Sequence, residues 1–130
     1  MAKFTRAEET WLGQFGREYT DRDSTNDQEL EDGYKSRWGF NRTELNERFL
    51  SGIDRSIRIL EVGTNLGNQL LCLQNMGFNN LYGIEIQTYA VEMAKYRTKD
   101  INIIAGSALD IPFKDGFFDL VFTSGVLIHI

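Results

Sequence analysis

The stretch ILEVGTNLG, residues 59–67, joins a short apolar run to a turn edged by glycines. An apolar strand followed by such a turn and then by a helix is typical of the βα units of parallel sheets. Glycine lets the backbone turn tightly and lets a ligand approach the main chain, because a Cβ atom would obstruct both. The stretch therefore predicts a strand that ends at a ligand-binding turn.

Residues 51–130 repeat this alternation of short apolar runs and amphipathic segments, which predicts a parallel sheet. Strands are predicted at residues 57–62, 81–86, 102–106 and 117–124. Helices are predicted at residues 66–76 and 88–99. Tyr89, Met93 and Tyr96 are spaced for one face of the second helix. The expected fold class is α/β, a Rossmann-like parallel sheet that binds its ligand beyond the carboxyl ends of the strands.

Residues 1–50 are predicted to form a helical, polar prelude to the sheet domain. Thr5 and Glu8 have the spacing of a capping box, and a second such pair begins at Asn41, so helices are expected to begin at both places. The segment between them, residues 20–33, is highly charged and holds few residues that could be buried. That segment is predicted to be a solvated connection.

The amino-acid composition limits which partners and which cellular location are expected. Nineteen acidic residues against 14 basic ones give a net charge of −5, so a nucleic acid would be repelled and is not expected as a partner. No apolar run approaches the roughly 20 residues that a membrane-spanning helix needs, and the first residues lack the apolar core of a signal peptide. A single cysteine cannot form an internal disulfide. The predicted location is the cytoplasm, and no metal ion is predicted.

The turn after the first strand could hold either a dinucleotide or a positively charged nucleoside. The dinucleotide pattern GxGxxG, started at Gly63, requires glycines where this chain has Asn65 and Asn68. Glu61 would also repel a pyrophosphate, whereas it could stabilise the sulfonium and ammonium of S-adenosylmethionine. The carboxylate of that molecule could face the free N–H groups near Gly67. The predicted cofactor contacts here are Glu61, Gly63, Thr64, Asn65 and Gly67; the other interpretation of Glu61 is a solvated acid at a strand end.

An acid also ends the second strand. Glu85 lies 22 positions beyond Gly63, which is close to the spacing of roughly 20 known for acids that bind ribose hydroxyls. Its two carboxylate oxygens can accept from two vicinal hydroxyls at once. Ile86 and Gln87, which follow, are predicted to form one wall against the adenine ring.

Small residues follow the third and fourth strands. In the loop of Ser107, Ala108 and Leu109, the Ala108 N–H could reach an adenine nitrogen and the Ser107 hydroxyl the exocyclic amine. Ser124 and Gly125 are predicted by position to line the methionine end of the site. The alternative for both segments is a plain turn without a ligand contact.

These residues together resemble the class I S-adenosylmethionine-dependent methyltransferase family. In that family an acid-x-Gly-x-x-x-Gly motif, a ribose-binding acid and a third-strand adenine loop occur in this order. Residues 111–130 resemble the family's fourth-strand region, and Ser107 stands where many relatives carry aspartate. The family's sheet has seven strands, so the chain is expected to be truncated after the fourth. Its exposed apolar edge is then expected to be covered in a longer protein or a homo-oligomer.

A narrower resemblance is carried by TWLGQFGREYTDRD, residues 10–23, together with ILEVGTNLGNQL, GIEI and FDLVFTSGVLIHI. These stretches are similar to the methylase family associated with pseudaminic acid biosynthesis gene clusters. The resemblance implies a small-molecule acceptor that is a sugar or a sugar nucleotide.

Methyl transfer from a sulfonium is an in-line displacement, so the main tasks of the protein are alignment and the exclusion of water. For a hydroxyl acceptor, His129 is the candidate base, because only histidine has an ordinary pKa near neutrality; a structural histidine is the other interpretation. Tyr19 is predicted to belong to a lid, formed by the prelude, that meets the transferred methyl group. Trp11 and Phe15 are predicted to be packing residues of the core or lid.

Two other functions are consistent with parts of this pattern. One is a non-catalytic S-adenosylmethionine-binding module that lacks an acceptor site. The other is a nicotinamide-dependent oxidoreductase, which the glycine pattern after the first strand opposes. Binding of cofactor without turnover distinguishes the module from the methyltransferase.

Overall fold

A computed structural model describes residues 3–22 and 27–130. Within these residues the helices are α1 (Arg6–Leu12), α2 (Gln14–Arg22), α3 (Asp27–Trp38), α4 (Arg42–Leu50), α5 (Asn68–Asn75) and α6 (Thr88–Arg97). The strands are β1 (Arg58–Val62), β2 (Asn80–Glu85), β3 (Asn102–Ala105) and β4 (Leu120–Thr123), and a 3₁₀ helix covers Leu127–His129. None of the described helices is long and apolar enough to cross a bilayer.

The strands form one parallel sheet in the order β3-β2-β1-β4. The predicted α/β fold with a Rossmann-like parallel sheet is therefore confirmed. The chain proceeds from β1 through β2 to β3 on one side and then returns to place β4 on the other side of β1. In open parallel sheets, a reversal of this kind leaves a crevice at the carboxyl ends of the central strands.

Side chains on both faces of the sheet are buried. Neighbouring residues of a strand point to opposite faces, so Ile59 joins the cluster beneath α5 and α6 while Leu60 joins a second cluster on the other face. The first cluster contains Ile59, Leu70, Leu73, Phe78, Leu81, Val91, Ala94 and Ile103. The sheet is thus covered on the α5 and α6 side by apolar packing, which fixes the strand ends relative to one another.

The buried face of α6 differs from the aromatic face that the spacing indicated. Ala90, Val91 and Ala94 are buried, whereas Met93 is 42% exposed and Tyr96 is 90% exposed. The apolar stripe lies about one position away from the aromatic one, and its small side chains let the helix lie close to the sheet. Helical spacing alone gave the period but not the phase.

The predicted solvated connection at residues 20–33 is wrong in its secondary structure, because its described residues belong to helices, although most of them are solvent-exposed as predicted. Thr20 belongs to α2 and is only 2% exposed, and its hydroxyl donates to Gln87 Oε1 at 2.9 Å. Residues from Asp27 onward belong to α3. Residues 23–26 of the predicted connection lie outside the described residues. The cause of the error is that α2 is attached through a buried polar contact, which a count of apolar residues does not detect.

Both predicted helix starts are confirmed. At α1, the Glu8 N–H donates to Thr5 Oγ1 and the Thr5 N–H donates to Glu8 Oε1, which completes a capping box. At α4, the side chain of Asn41 accepts from the Glu44 N–H at 2.8 Å. The local sequence therefore determines where these two helices begin.

The fourth strand begins three residues later than the predicted position 117. Phe117 and Phe118 instead pack edge-on against Tyr82, in a cluster that includes Phe113. Within the described sheet β4 is an edge strand, and Val121 on it is 52% exposed. Burial of this edge in an oligomer stays a prediction.

The fit of α2 against the start of α6 predicts opposite effects for two glycine substitutions. Gly16→Ala is expected to lower the free energy of unfolding by about 1–3 kcal/mol. A Cβ atom at Gly16 would lie 1.9 Å from Trp11 O and 2.7 Å from Gln87 Nε2.

Gly33→Ala is the matched control, because nothing lies within 4 Å of a Cβ added at this position of α3. Alanine's better helix propensity should raise the free energy of unfolding by about 0.5–1 kcal/mol. Urea denaturation followed by circular dichroism measures both variants. Equal shifts of the two midpoints would contradict the close contact at Gly16.

Candidate functional site

A cavity of about 240 Å³ lies at the carboxyl ends of the strands, where the topology places the crevice. Thirteen of the fourteen predicted site residues line it: Tyr19, Glu61, Gly63, Thr64, Asn65, Glu85, Ile86, Ser107, Ala108, Leu109, Ser124, Gly125 and His129. The fourteenth, Gly67, lies outside the lining, where it forms the N-cap of α5. The structure thus gathers residues from four separate strand ends around one space.

Glu61 is buried at the end of β1 and is only 2% exposed. Its Oε1 accepts a hydrogen bond of 2.8 Å from the Thr64 hydroxyl. Removal from water raises the pKa of Glu61 to about 8, although the Thr64 hydrogen bond and the charge of Arg42 act in the opposite direction. The interpretation of Glu61 as a solvated acid is therefore wrong. A cation placed in the cavity would stabilise the ionised carboxylate.

Glu85 is held from two sides at the end of β2. Its Oε1 accepts from the Asn65 N–H and its Oε2 from the Gln87 N–H, each at 2.9 Å. Burial raises the pKa of Glu85 above its ordinary value, while these backbone hydrogen bonds lower it. Each oxygen keeps a further lone pair for a ligand hydroxyl. The side chain is consequently oriented before any ligand arrives.

The turn after β1 needs glycine at position 63 for two reasons. Gly63 has φ 79°, and a Cβ on it would lie 2.3 Å from Val126 Cγ2. The N–H groups of Gly63 and Thr64 both donate to Ile84 O, at 2.9 and 3.0 Å. The turn therefore lies directly against the end of β2 and against the segment after β4.

Three buried acceptor atoms of the lining lack a hydrogen-bond partner among residues 3–22 and 27–130. They are Glu8 Oε2, Asn65 Oδ1 and Gln69 Oε1. A buried polar atom without a partner costs about 1–3 kcal/mol, so such atoms mark places where a ligand can donate. Together with two buried carboxyl groups, they suit a ligand that carries N–H and O–H donors and a positive charge. S-adenosylmethionine has these groups in its adenine amine, ribose hydroxyls, ammonium and sulfonium.

The loop after β3 is closed on itself. Ser107 Oγ accepts from the Leu109 N–H at 3.0 Å, so its hydroxyl hydrogen remains available to donate. Gly106 N–H donates to Glu85 O at 3.0 Å, which attaches the loop to the end of β2. The loop therefore forms the wall of the cavity farthest from β4 in the sheet order.

Aromatic rings form the opposite wall, at the mouth. Trp11 contacts His129 with ring centroids 4.9 Å apart, Tyr19 at 5.1 Å and Phe15 at 5.3 Å. Trp11 lines the cavity, whereas Phe15 packs on Trp11 from outside and is half exposed. Tyr19 and His129 are both exposed at this mouth. The cluster joins the helical prelude to the segment after β4.

Several lining residues were missed by sequence reasoning. Glu8 had been explained as a capping residue, and its second oxygen has no sequence signal of its own. Leu30 and Tyr34 of α3 also line the cavity, and Tyr34 accepts from Gln69 Nε2. Their spacing of four residues is the helical pattern that could have identified α3 as a wall.

Known proteins share this fold and this sequence pattern. A family model described as "Methyltransferase domain" matches residues 60–130. The O-methyltransferase rstn1 of Aspergillus nomiae is 28% identical over 93 residues, which cover 67% of this chain and 40% of that protein. The chain therefore spans about 40% of the length of this curated relative.

Two solved structures are similar over nearly the whole chain. Magnesium protoporphyrin IX methyltransferase of Synechocystis PCC 6803, with bound S-adenosylmethionine, has a TM-score of 0.68 at 14% identity over 100% of this chain and 67% of its own. A putative S-adenosylmethionine-dependent methyltransferase from Methanococcus maripaludis has a TM-score of 0.67 at 15% identity, over 98% and 55%. At these identities the likeness shows the fold.

The family match covers more than half of the chain, from within β1 to the 3₁₀ helix after β4. It confirms the predicted methyltransferase class and, at the level of the family, S-adenosylmethionine as the cofactor. The pattern of a buried acid, a glycine turn and a second acid on the next strand is thus accounted for by one assignment: the chain belongs to the methyltransferase domain family.

Proposed function

We propose that this chain binds S-adenosylmethionine and takes part in methyl transfer to a small-molecule acceptor, a sugar or a sugar nucleotide. The observation that carries the proposal is the pair of buried carboxyl groups, Glu61 and Glu85, at the carboxyl ends of two adjacent parallel strands. A cationic nucleoside stabilises the ionised forms of acids buried at adjacent strand ends, whereas a phosphate destabilises those forms.

In this proposal the cofactor lies across the strand ends. Glu61 binds the positively charged methionine part, and Glu85 accepts from the ribose hydroxyls. The adenine ring lies against Ile86 and the loop after β3, while the methionine end reaches Ser124 and Gly125. Residues 51–130 form the cofactor-binding domain, and residues 1–50 form a lid over it. When bound, the cofactor supplies a methyl group on a sulfonium, which is the electrophile of the reaction.

The acceptor approaches, in this proposal, from the aromatic mouth. A ring nitrogen of His129 takes the proton of the acceptor hydroxyl, and Tyr19 lies beside the transferred methyl group. Trp11 holds both side chains through ring contacts. The resemblance to the pseudaminic acid-associated methylases supports a sugar acceptor, and the net charge of −5 disfavours a nucleic acid.

The ribose contact predicts a specific loss of affinity. Glu85→Ala is expected to weaken binding of S-adenosylhomocysteine by about 10- to 100-fold, because hydrogen bonds to a charged acceptor are lost. Isothermal titration calorimetry measures the dissociation constants. Glu92→Ala, which removes an exposed acid of α6, is the matched control and should bind like the wild type.

A second measurement separates the contact from a loss of folding. The wild type should bind the 2′-deoxy analogue of S-adenosylhomocysteine more weakly than the parent ligand. Glu85→Ala should bind the two ligands with the same affinity. An undiminished preference for the parent ligand in Glu85→Ala would remove the ribose assignment.

The raised pKa of Glu61 predicts that ligand binding releases a proton. Below pH 8 the free protein holds Glu61 largely protonated, since its pKa is about 8. A bound ammonium lowers that pKa, so affinity should rise by up to about tenfold per pH unit between pH 6 and 8 and then level off. Calorimetry in two buffers of different ionisation enthalpy counts the protons released.

Glu61→Gln is the control for this pH dependence, because it keeps the shape and has no proton to lose. The ratio of wild-type to Glu61→Gln association constants cancels the ionisation of the ligand itself. That ratio should increase with pH over this range. A ratio that is constant from pH 6 to 8 contradicts a contact between Glu61 and the ligand's cation.

The reaction itself is tested with a cofactor that carries a labelled methyl group. Label is expected to appear on a hydroxyl of a sugar or sugar nucleotide, and His129→Gln should lower kcat by about 10²–10⁴-fold at pH 7. The affinity for S-adenosylhomocysteine should be unchanged in that variant. Tight binding of the cofactor without transfer to any sugar, amine or hydroxyl acceptor would indicate a non-catalytic binding module.

A further inference from the structure

Glu8 is a buried acid that no step of the proposed reaction uses. It lies on α1, it is only 8% exposed, and its side chain lines the cavity. Its Oε1 accepts from the Thr5 N–H at 3.0 Å. Its Oε2 is buried and has no donor of good geometry among residues 3–22 and 27–130. The capping role therefore explains one oxygen of Glu8 and leaves the other without a partner among the described residues, on a side chain that lines the cavity.

The surroundings of Glu8 fix its charge. The Ser107 hydroxyl, and then the backbone N–H of Thr5, lower the pKa of Glu8 below its ordinary value. Glu8 is consequently ionised at neutral pH and offers only acceptor lone pairs. A group that binds Oε2 must therefore be a donor.

Its position indicates which part of the ligand it meets. Ser107 follows β3, and β3 lies beyond β2, whose last residue is the proposed ribose acid Glu85. A nucleoside with its ribose at Glu85 has its base toward β3. The nearest donor that an adenine ring presents there is its exocyclic amine, since its ring nitrogens are acceptors.

We propose that Glu8 Oε2 accepts a hydrogen bond from the exocyclic amine of adenine, so that α1 of the prelude is a specificity element for the base. The inference rests on the proposed binding of S-adenosylmethionine. Ser107, which stands where many of the relatives that this chain resembles carry a loop aspartate, lies beside Glu8. The base is thereby recognised by a residue 99 positions away from the loop that usually does so.

The test compares S-adenosylhomocysteine with its analogue that carries hydrogen in place of the exocyclic amine. The wild type should bind the amine-bearing ligand about 10- to 100-fold more tightly in calorimetry, as expected for one hydrogen bond to a charged acceptor. In Glu8→Gln, the amide oxygen keeps the Thr5 contact and the amide nitrogen faces the ligand. That variant should discriminate between the two ligands less than about threefold.

Thr5→Ala is the matched control for the capping role. It removes the side-chain half of the capping box and leaves Glu8 Oε2 in place, so it should lower the melting temperature and keep the wild-type discrimination. If the role of Glu8 were only structural, Glu8→Gln would lower the affinity for both ligands by the same factor and would keep the wild-type discrimination between them.

The outcomes separate this inference from the proposed function. Binding of S-adenosylhomocysteine with the same discrimination in Glu8→Gln and wild type overturns the role of Glu8 and leaves the cofactor proposal standing. If the affinities of the wild type for the two ligands differ by less than threefold, the role of Glu8 is overturned without measurement of any variant. A wild type that binds neither ligand overturns both proposals.

Discussion

The Glu85 carboxylate, which accepts from the backbone N–H groups of Asn65 and Gln87, is the contact on which the site depends. It joins the turn after β1 to the segment that leads into α6, so two strand ends become one rigid surface. Asn65 pairs with it from a left-handed conformation, φ 48°, which is uncommon outside glycine. The backbone accepts this strain because the N–H is then directed at a buried acid. Removal of the acid would leave two N–H groups unpaired and the turn without its anchor.

A second buried acid, Glu61, gives the site a charge that depends on whether a cationic ligand is bound. Glu61 has a folded pKa of about 8 against an ordinary value of 4.5. The protonated form is therefore favoured by folding, and this stability is fully present below about pH 4.5, is lost as pH rises toward 8, and is constant above. A cationic ligand reverses the relation, because it stabilises the ionised form in the same place. The buried Glu61 thus lowers the stability of the ligand-free protein at neutral pH. Its ionised form is stabilised only when a cationic ligand is bound.

The sheet and most of the lining could be predicted from sequence, because strands with terminal acids and glycines carry their signal locally. Glu61, Glu85 and Gly63 were found in this way. The attachment of α2 could not be found, since Thr20 is held to the domain by a hydrogen bond to Gln87 rather than by apolar area. Glu8 was predicted as a capping residue, and the capping pattern carries no signal for the position of its second carboxylate oxygen. The predicted beginning of β4 was too early because Phe117 and Phe118 pack against Tyr82 and do not belong to the strand.

The prelude is attached to the domain by polar and aromatic contacts, and this limits how it can behave. α1 has seven residues, too few to be stable as an isolated helix, so it depends on its capping box and on tertiary contacts. Glu8 and Trp11 lie one turn apart on α1 and both line the cavity, the first beside the loop after β3 and the second against His129. A ligand that occupies the cavity from end to end would therefore contact α1 at two points. Because a helix this short depends on tertiary contacts for its stability, a ligand that adds two contacts stabilises α1 further in its position over the site.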